Sequence, residues 1–451
     1  MRRVLAVLLA AACSAGGAAA QAGPAPALDR AAQRAVVDSV AAVLEARYVD
    51  AGVAREVGAR LRERLAAGAY AADTLPAALG AALTRDMYAV SRDLHMRLNW
   101  EPAREFTLAG AAQSGPPPAA GVVRTGRVDG RDSATIARTN HAFQRVERLA
   151  GNVGYLKLDQ FVPLDYAGAT AAAAMAFLAN SDAVIVDLRD NPGGSPDNVR
   201  FLLSHFFAPD TVLLWATANR GLRVRNEYRT LRDLPGRRLA GADLYVLTSR
   251  RSASSAETFA YATKWTGRGT VVGERTAGAG NGGARLSVGH GLALFVPQWQ
   301  VTTGPGFERT GVEPDVEVPE DSALAAAHVL ALRKLAARAD DPRVRREREW
   351  ALERVSAASR PAPSSAELAR YAGAYGARAV RLRAGGLVLL SPTGSETPLV
   401  PVAEHIFHAG DAVRVRFETD AAGRVLALTV EQAAGSGHRA ERTPDPSPPP
   451  A

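Results

Sequence analysis

Cysteine is nearly absent: the chain of 451 residues has one, Cys13. That excludes a disulfide scaffold and any zinc or iron–sulfur site built on thiolates. Lysine is almost as scarce. Of the 54 Lys and Arg side chains only three are lysines, Lys157, Lys264 and Lys334. Few positions are therefore open to a lysine general base. No uninterrupted apolar run reaches the ~18 residues that a membrane-spanning helix needs. The motifs H-E-x-x-H, S-x-x-K and G-x-S-x-G are missing too. Zinc-metallopeptidase, penicillin-binding and α/β-hydrolase sites therefore lack support. No metal or cofactor is expected.

What remains is the composition of a globular chain, 47% hydrophobic and 22% charged. The net charge of +8 raises the question of an acidic partner. The arginines are spread along the chain and interspersed with acids, and no aromatic stacking motif accompanies them. Nucleic-acid binding is not expected.

Residues 1–20 carry the marks of a secretory signal: Arg2 and Arg3, the apolar stretch Val4 to Ala12, and Ala18-Ala19-Ala20 before Gln21. Export to the periplasm or beyond is expected, with cleavage after Ala20. A lipoprotein anchored through Cys13 is the competing reading, weakened because Ala10-Ala11-Ala12 lacks a large aliphatic residue.

Residues 21–98 form the next segment, a helical bundle. Val36, Val40, Val43 and Leu44 recur at helical spacing, as do Val57, Leu61 and Leu65. Pro76 opens a third helix that reaches about Ser91. Residues 99–335 become an α/β core, in which strands alternate with helices from Val153 on. Val153–Leu158, Ala183–Leu188 and Leu244–Thr248 read as buried strands. Helices are expected over 167–180, 196–207 and 254–264. Residues 336–365 make a charged helix and a Pro/Ser/Ala linker. Residues 366–433 hold short alternating strands, a small β-domain. The tail 434–451 reads as disordered.

Three segments could carry chemistry. In the first, the strand ending at Asp187 runs into Asn191-Pro192-Gly193-Gly194. Two glycines there allow backbone N–H groups to approach a ligand, as in an oxyanion hole; an ordinary strand–helix turn would look the same. In the second, Ser254 and Ser255 lie where a helix begins after a buried strand. Donor amides and the helix dipole surround such a serine. Ser254 with Glu257 also fits a plain capping box. The third is Asp93-Leu94-His95, which closes the bundle; a lone histidine is more often structural.

These segments, in this order, resemble the C-terminal-processing (tail-specific) serine peptidase superfamily. The similarity leans toward the branch of interphotoreceptor retinoid-binding protein and the tricorn core protease. It rests on DLHMRL (93–98), NHAFQRVERLAGNVGYLKLDQF (140–161), VIVDLRDNPGGSP (184–196), TSRRSASSAETFAYA (248–262), VVGERTAGAGN (271–281) and FERTGVEPDVEV (307–318). The resemblance implies a helical bundle followed by a ClpP/crotonase-like α/β core. It implies a nucleophile at Ser254. Where the processing branch has its lysine base, this chain has Ala279. The tricorn-like branch uses a histidine oriented by a glutamate, which His95 and Glu308 match. The oxyanion donors fall on Gly193 or Gly194 and on the Ser255 amide. Between Leu98 and Asn140 the chain is too short for the PDZ domain of the processing proteases. The expected activity is a serine peptidase acting on peptides or proteins. A non-catalytic protein using the same cleft for a hydrophobic ligand or peptide is the alternative.

Overall fold

The computed structural model describes residues 27–101, 133–220, 225–358 and 360–443. The predicted signal and Cys13 lie outside the described residues. Among the described residues, no helix is long and apolar enough to cross a membrane. Two compact units are present, residues up to 115 with Gly283–Pro297, and the rest.

In the first unit Asp29 and Asp50 cap α1 (Arg30–Arg47) and α2 (Ala51–Ala66) by accepting backbone N–H bonds. Pro76 occupies the first position of α3 (Pro76–Ser91), where a missing N–H costs nothing. Val36, Val40, Leu44, Val57, Leu61, Leu83 and Met87 are fully buried between the helices. β1 (Leu98–Trp100) follows and pairs antiparallel with Leu292–Leu294. Sequence reading gave all of 99–335 to the core, but Gly283–Pro297 groups with the helices. The reason is packing: Leu292, Leu294 and Val296 complete the helical unit's apolar core.

The second unit opens with α4 (Ser133–Arg138). It continues through β2 (Phe143–Leu149), β3 (Val153–Leu158), α5 (Leu164–Leu178), β4 (Ala183–Asp187), α6 (Pro196–Ser204), β5 (Leu213–Asn219) and β6 (Arg225–Arg229). Next come β7 (Asp243–Thr248), α7 (Ser255–Trp265) and β8 (Gly269–Gly273). β9 (Gly282–Gly289) and β10 (Leu292–Val301) fall mostly within the first unit, and the second resumes at Gln298 and continues to β11 (Val316–Glu317). The central sheet has the order β11-β8-β7-β4-β3-β2, parallel except for β2. Its residues alternate strictly between two cores. Leu156, Val184, Val186, Leu244 and Val246 meet α5, α6 and α7 on one face. Tyr155, Ile185, Tyr245, Leu247 and Val272 meet α8 (Ala323–Ala337) on the other. Helices on both faces explain why these strands read as unbroken apolar runs.

α9 (Pro342–Ala357) and α10 (Ser365–Ala369) lead into a meander of eight antiparallel strands. These are β12 (Gly373–Tyr375), β13 (Arg378–Arg383), β14 (Gly386–Leu390), β15 (Glu396–Ala403), β16 (Ile406–His408), β17 (Val413–Thr419), β18 (Val425–Gln432) and β19 (Gly437–Glu441). The Tyr375–Arg442 bridge and the Thr443 N–H to Ala374 bond (2.9 Å) join the last strand to the first, closing a barrel. Tyr371, Tyr375, Phe407 and Phe417 fill its interior. The structure corrects the tail expected to be disordered from 434: β19 lies within it. Arg439 reaches across β18 to Glu418 on β17 (2.8 Å), and Ala440 is buried.

Candidate active site

β4 and β7 lie side by side and in parallel, with Asp187 opposite Leu247. Both strands therefore turn at the same end of the sheet. The two turns are laced together. Ser252 Oγ donates to the Leu188 carbonyl (2.8 Å), Ser249 Oγ to that of Arg189 (2.6 Å), and Ala253 N–H to that of Asn191 (3.0 Å). Gly193 and Gly194 have φ of 112° and 133°, which side chains rarely tolerate. A Cβ on Gly193 would lie 2.7 Å from the Ser254 Cβ, and one on Gly194 would strike the Phe161 carbonyl. The glycine turn is thus wedged between Phe161 and Ser254.

The two glycines differ in what their amides do. Gly193 N–H is donated to Asn191 Oδ1 at 2.8 Å. Gly194 bridges Phe161 through its neighbours' amide and carbonyl, so its own polar groups face the other way. Its carbonyl accepts from Ser255 Oγ at 2.8 Å, and its N–H has no acceptor among the described residues. The Ser255 N–H opens α7, where helix geometry leaves amides without an intrahelical partner. It sits 3.0 Å from where a Gly193 Cβ would be. The Gly194 and Ser255 amides are two donors available beside Ser254.

Ser254 itself has φ 54° and ψ −117°. A non-glycine residue held there costs roughly 1–3 kcal/mol and persists only when its surroundings fix it. The fixing group is Glu257. Its buried carboxylate accepts from the Ser254 amide (2.8 Å), the Thr276 hydroxyl (2.6 Å), and the Gly278 (2.7 Å) and Ala279 (2.8 Å) amides. Burial pushes this carboxyl above the usual range, and the donated bonds oppose that shift. The capping-box pairing of Ser254 and Glu257 is therefore one arm of a larger anchor.

The segment held by Glu257 continues to Gly280 and Asn281, whose amides donate to Glu308 Oε2 at 2.7 and 2.8 Å. Gly280 passes so close to the Glu308 backbone that a Cβ would lie 2.8 Å from its nitrogen. The backbone of residues 276–281 thus links Ser254 to Glu308, held at its start by Glu257 and at its end by Glu308.

His95 belongs to the first unit, whereas Ser254 and Glu308 belong to the second. Asp93, buried, accepts from the Tyr48 hydroxyl (3.1 Å) and from the His95 amide (2.9 Å), fixing the turn after α3. The imidazole stacks on Phe295, with centroids 5.4 Å apart. Burial pushes its pKa below the ordinary histidine value, against the pull of the nearby Asp93 carboxylate. A neutral imidazole at neutral pH is the form a general base needs.

All three lysines are committed elsewhere: Lys157 to Asp190 (2.6 Å), Lys264 to Asp315 (2.9 Å) and Lys334 to Asp243 (2.9 Å). The hydrogen bond to Asp190 raises the Lys157 pKa, the opposite of what a lysine base requires. Among the described residues no group of three His, Cys, Asp or Glu side chains could hold a metal. Sequence reasoning passed over Asn191, which occupies the Gly193 amide, and the anchoring by Glu257. Their order in the chain hinted at turns but not at which amides they hold.

Residues 152–318, the span from β3 to β11, match the profile of peptidase family S41. The chain carries a peptidase family S41 domain. Within that S41 domain lie Gly193, Gly194, Ser254, Ser255 and Glu308; His95 lies outside it. The chain is 32% identical over 171 residues to the chloroplastic carboxyl-terminal-processing peptidase 2 of Arabidopsis thaliana, covering 37% of this chain and 32% of that one. It is 30% identical over 182 residues to the carboxyl-terminal-processing protease of Synechocystis, covering 40% of each. The chain thus spans less than half the length of these relatives. The solved photosystem II D1 C-terminal processing protease aligns at 19% identity over 64% of this chain and 93% of that one, with a TM-score of 0.40.

Proposed function

We propose that this chain is an exported serine peptidase that cleaves peptide or protein substrates through an acyl-enzyme on Ser254. Support comes first from the S41 domain and the relatives named as processing peptidases. The observation that carries the reading is the Ser254 turn. It is a half-buried serine in a strained backbone, beside two unengaged amide donors, at the paired ends of two parallel strands.

In this reading Ser254 Oγ attacks the scissile carbonyl as His95 takes its proton. His95, now cationic, returns that proton to the leaving amine. The Gly194 and Ser255 amides stabilise the oxyanion, and Asn191 keeps Gly193 from competing. Glu308, held by the Gly280 and Asn281 amides, orients and stabilises the imidazolium. Water then hydrolyses the ester, with His95 as base again. Residues 1–20 serve as the export signal.

The test is hydrolysis of a denatured protein substrate by wild type, Ser254→Ala and His95→Ala. Loss of turnover in both folded variants is expected. Wild-type turnover in Ser254→Ala would overturn the reading. Absence of turnover in folded wild type, with a ligand retained through purification, would instead favour the binding-protein alternative.

A further inference from the structure

The barrel carries a cavity distant in sequence from the S41 segment. It opens between the end of α9, the extended stretch 360–363, α10, and strands β15 and β16, and has a volume of about 480 Å³. That is within the roughly 300–1,000 Å³ of small-molecule sites. Its walls include Ala357, Pro361, Pro363, Leu368, Val400 and Pro401. Val400 is 48% exposed between inward-facing Leu399 and Val402. An apolar side chain on the outer face of a barrel, inside a concavity, is surface left available for an apolar body.

The charge on this lining is unbalanced. Arg354 is neutralised by Asp411 at 2.6 Å. Arg360 is not: its Nη1 donates to the Val402 carbonyl at 3.0 Å, and no carboxylate lies within ion-pair distance among the described residues. Arg370 donates to the Tyr371 hydroxyl at 2.7 Å and lies over that ring, 4.9 Å from its centre. Its nearest acid, Glu404, is 3.8 Å away and 77% exposed, so the pair is weak. The other acid on the wall, Glu367, is turned to the Ser364 amide and hydroxyl, both at 2.7 Å. The Tyr371 hydroxyl also meets His405 Nδ1 at 2.8 Å, which fixes the polar end of the cavity.

We propose that this cavity binds a small apolar molecule bearing one carboxylate. Its body packs against Pro361, Leu368 and Val400, and its carboxylate is met by the guanidinium groups of Arg360 and Arg370. Guanidinium suits this role because its N–H fork matches a carboxylate's two oxygens. Apolar walls with few polar groups at one end are what a monoanionic amphiphile needs; a compact inorganic anion would leave those walls wet.

Titration calorimetry of the full chain tests this with 4-phenylbutyrate, 4-phenylbutanol and inorganic phosphate as probes. The acid should bind at least about tenfold more tightly than the alcohol or phosphate, the worth of one charge-assisted hydrogen bond. Arg360→Gln and Arg370→Gln should each weaken it several-fold, and Val400→Asp should abolish it, with melting temperatures unchanged. Ser254→Ala should bind as wild type, which separates this site from the proposed active site. Equal binding of acid and alcohol, phosphate binding as tight as the acid, or no heat with the acid up to roughly 10 mM would overturn the proposal. So would tighter binding of an apolar peptide with a free C-terminal carboxylate, which would make the groove a peptide-docking surface.

Discussion

Replacing Glu257 by glutamine tests whether the Ser254 turn is held or merely permitted. The carboxylate accepts four bonds, two on each oxygen. Three come from amides, which can only donate. A glutamine offers one acceptor oxygen, and its NH₂ faces two of the former donors. Two charge-assisted hydrogen bonds are lost, at about 1.5–3 kcal/mol each. The loss of about 3–6 kcal/mol is a large part of a typical domain's stability. Not all of it need appear as global unfolding. With its amide released, Ser254 can relax from φ 54°, ψ −117°. Relief of roughly 1–3 kcal/mol of strain would depopulate the observed turn by about 5- to 150-fold. The assay pairs urea denaturation with the rate of fluorophosphonate labelling. Glu257→Gln should lower the urea midpoint and label at least about fivefold more slowly under conditions where circular dichroism shows it folded. Wild-type stability together with a wild-type labelling rate would refute the anchoring argument.

Other perturbations follow from the same geometry. Gly194→Ala should abolish labelling, because the added methyl strikes the Phe161 carbonyl; a labelled, fully active variant would show that the turn is not fixed. Arg189→Met strands a carboxylate. Burial works against ionised Asp187, yet bonds from Arg189 and the Tyr155 hydroxyl hold its pKa below the usual range. Denaturant titration should show about 3–5 kcal/mol of lost stability, and a change under 1 kcal/mol would contradict that. For pH, burial lowers the pKa of His95, so hydrolysis should persist through neutrality. It should fall only below the reference value of about 6.5, as the imidazole protonates; a rate flat to about pH 4 would exclude a histidine base. His205 and His328 are lowered by burial too. Unfolded imidazoles take up protons that the folded ones refuse, so stability should decline as pH drops below about 6.5.

The strands that position the site were readable for a physical reason. β4 and β7 are covered on both faces, so Ala183 to Val186 and Leu244 to Leu247 form unbroken hydrophobic runs that end sharply at the turn. β10 was not read because Pro297 interrupts it, and β15 carries Pro398 and Pro401 among exposed positions. β19 looked like a charged tail because Arg439 and Glu441 flank the buried Ala440. At the site, small residues and glycines marked both turns in the sequence. The division of labour within them did not show. Whether Gly193 or Gly194 keeps a free amide depends on where Asn191 Oδ1 points, and Glu257 serves residues 19 to 22 positions away. Those are contacts of folding, with no local spacing to reveal them.

The proposed mechanism depends first on Ser254 being a nucleophile. Incubating the folded chain with a fluorophosphonate and mapping the adduct by mass spectrometry tests it most directly. One phosphonylated peptide, modified at Ser254, is expected, and none in Ser254→Ala. An adduct on another serine that persists in Ser254→Ala would contradict it.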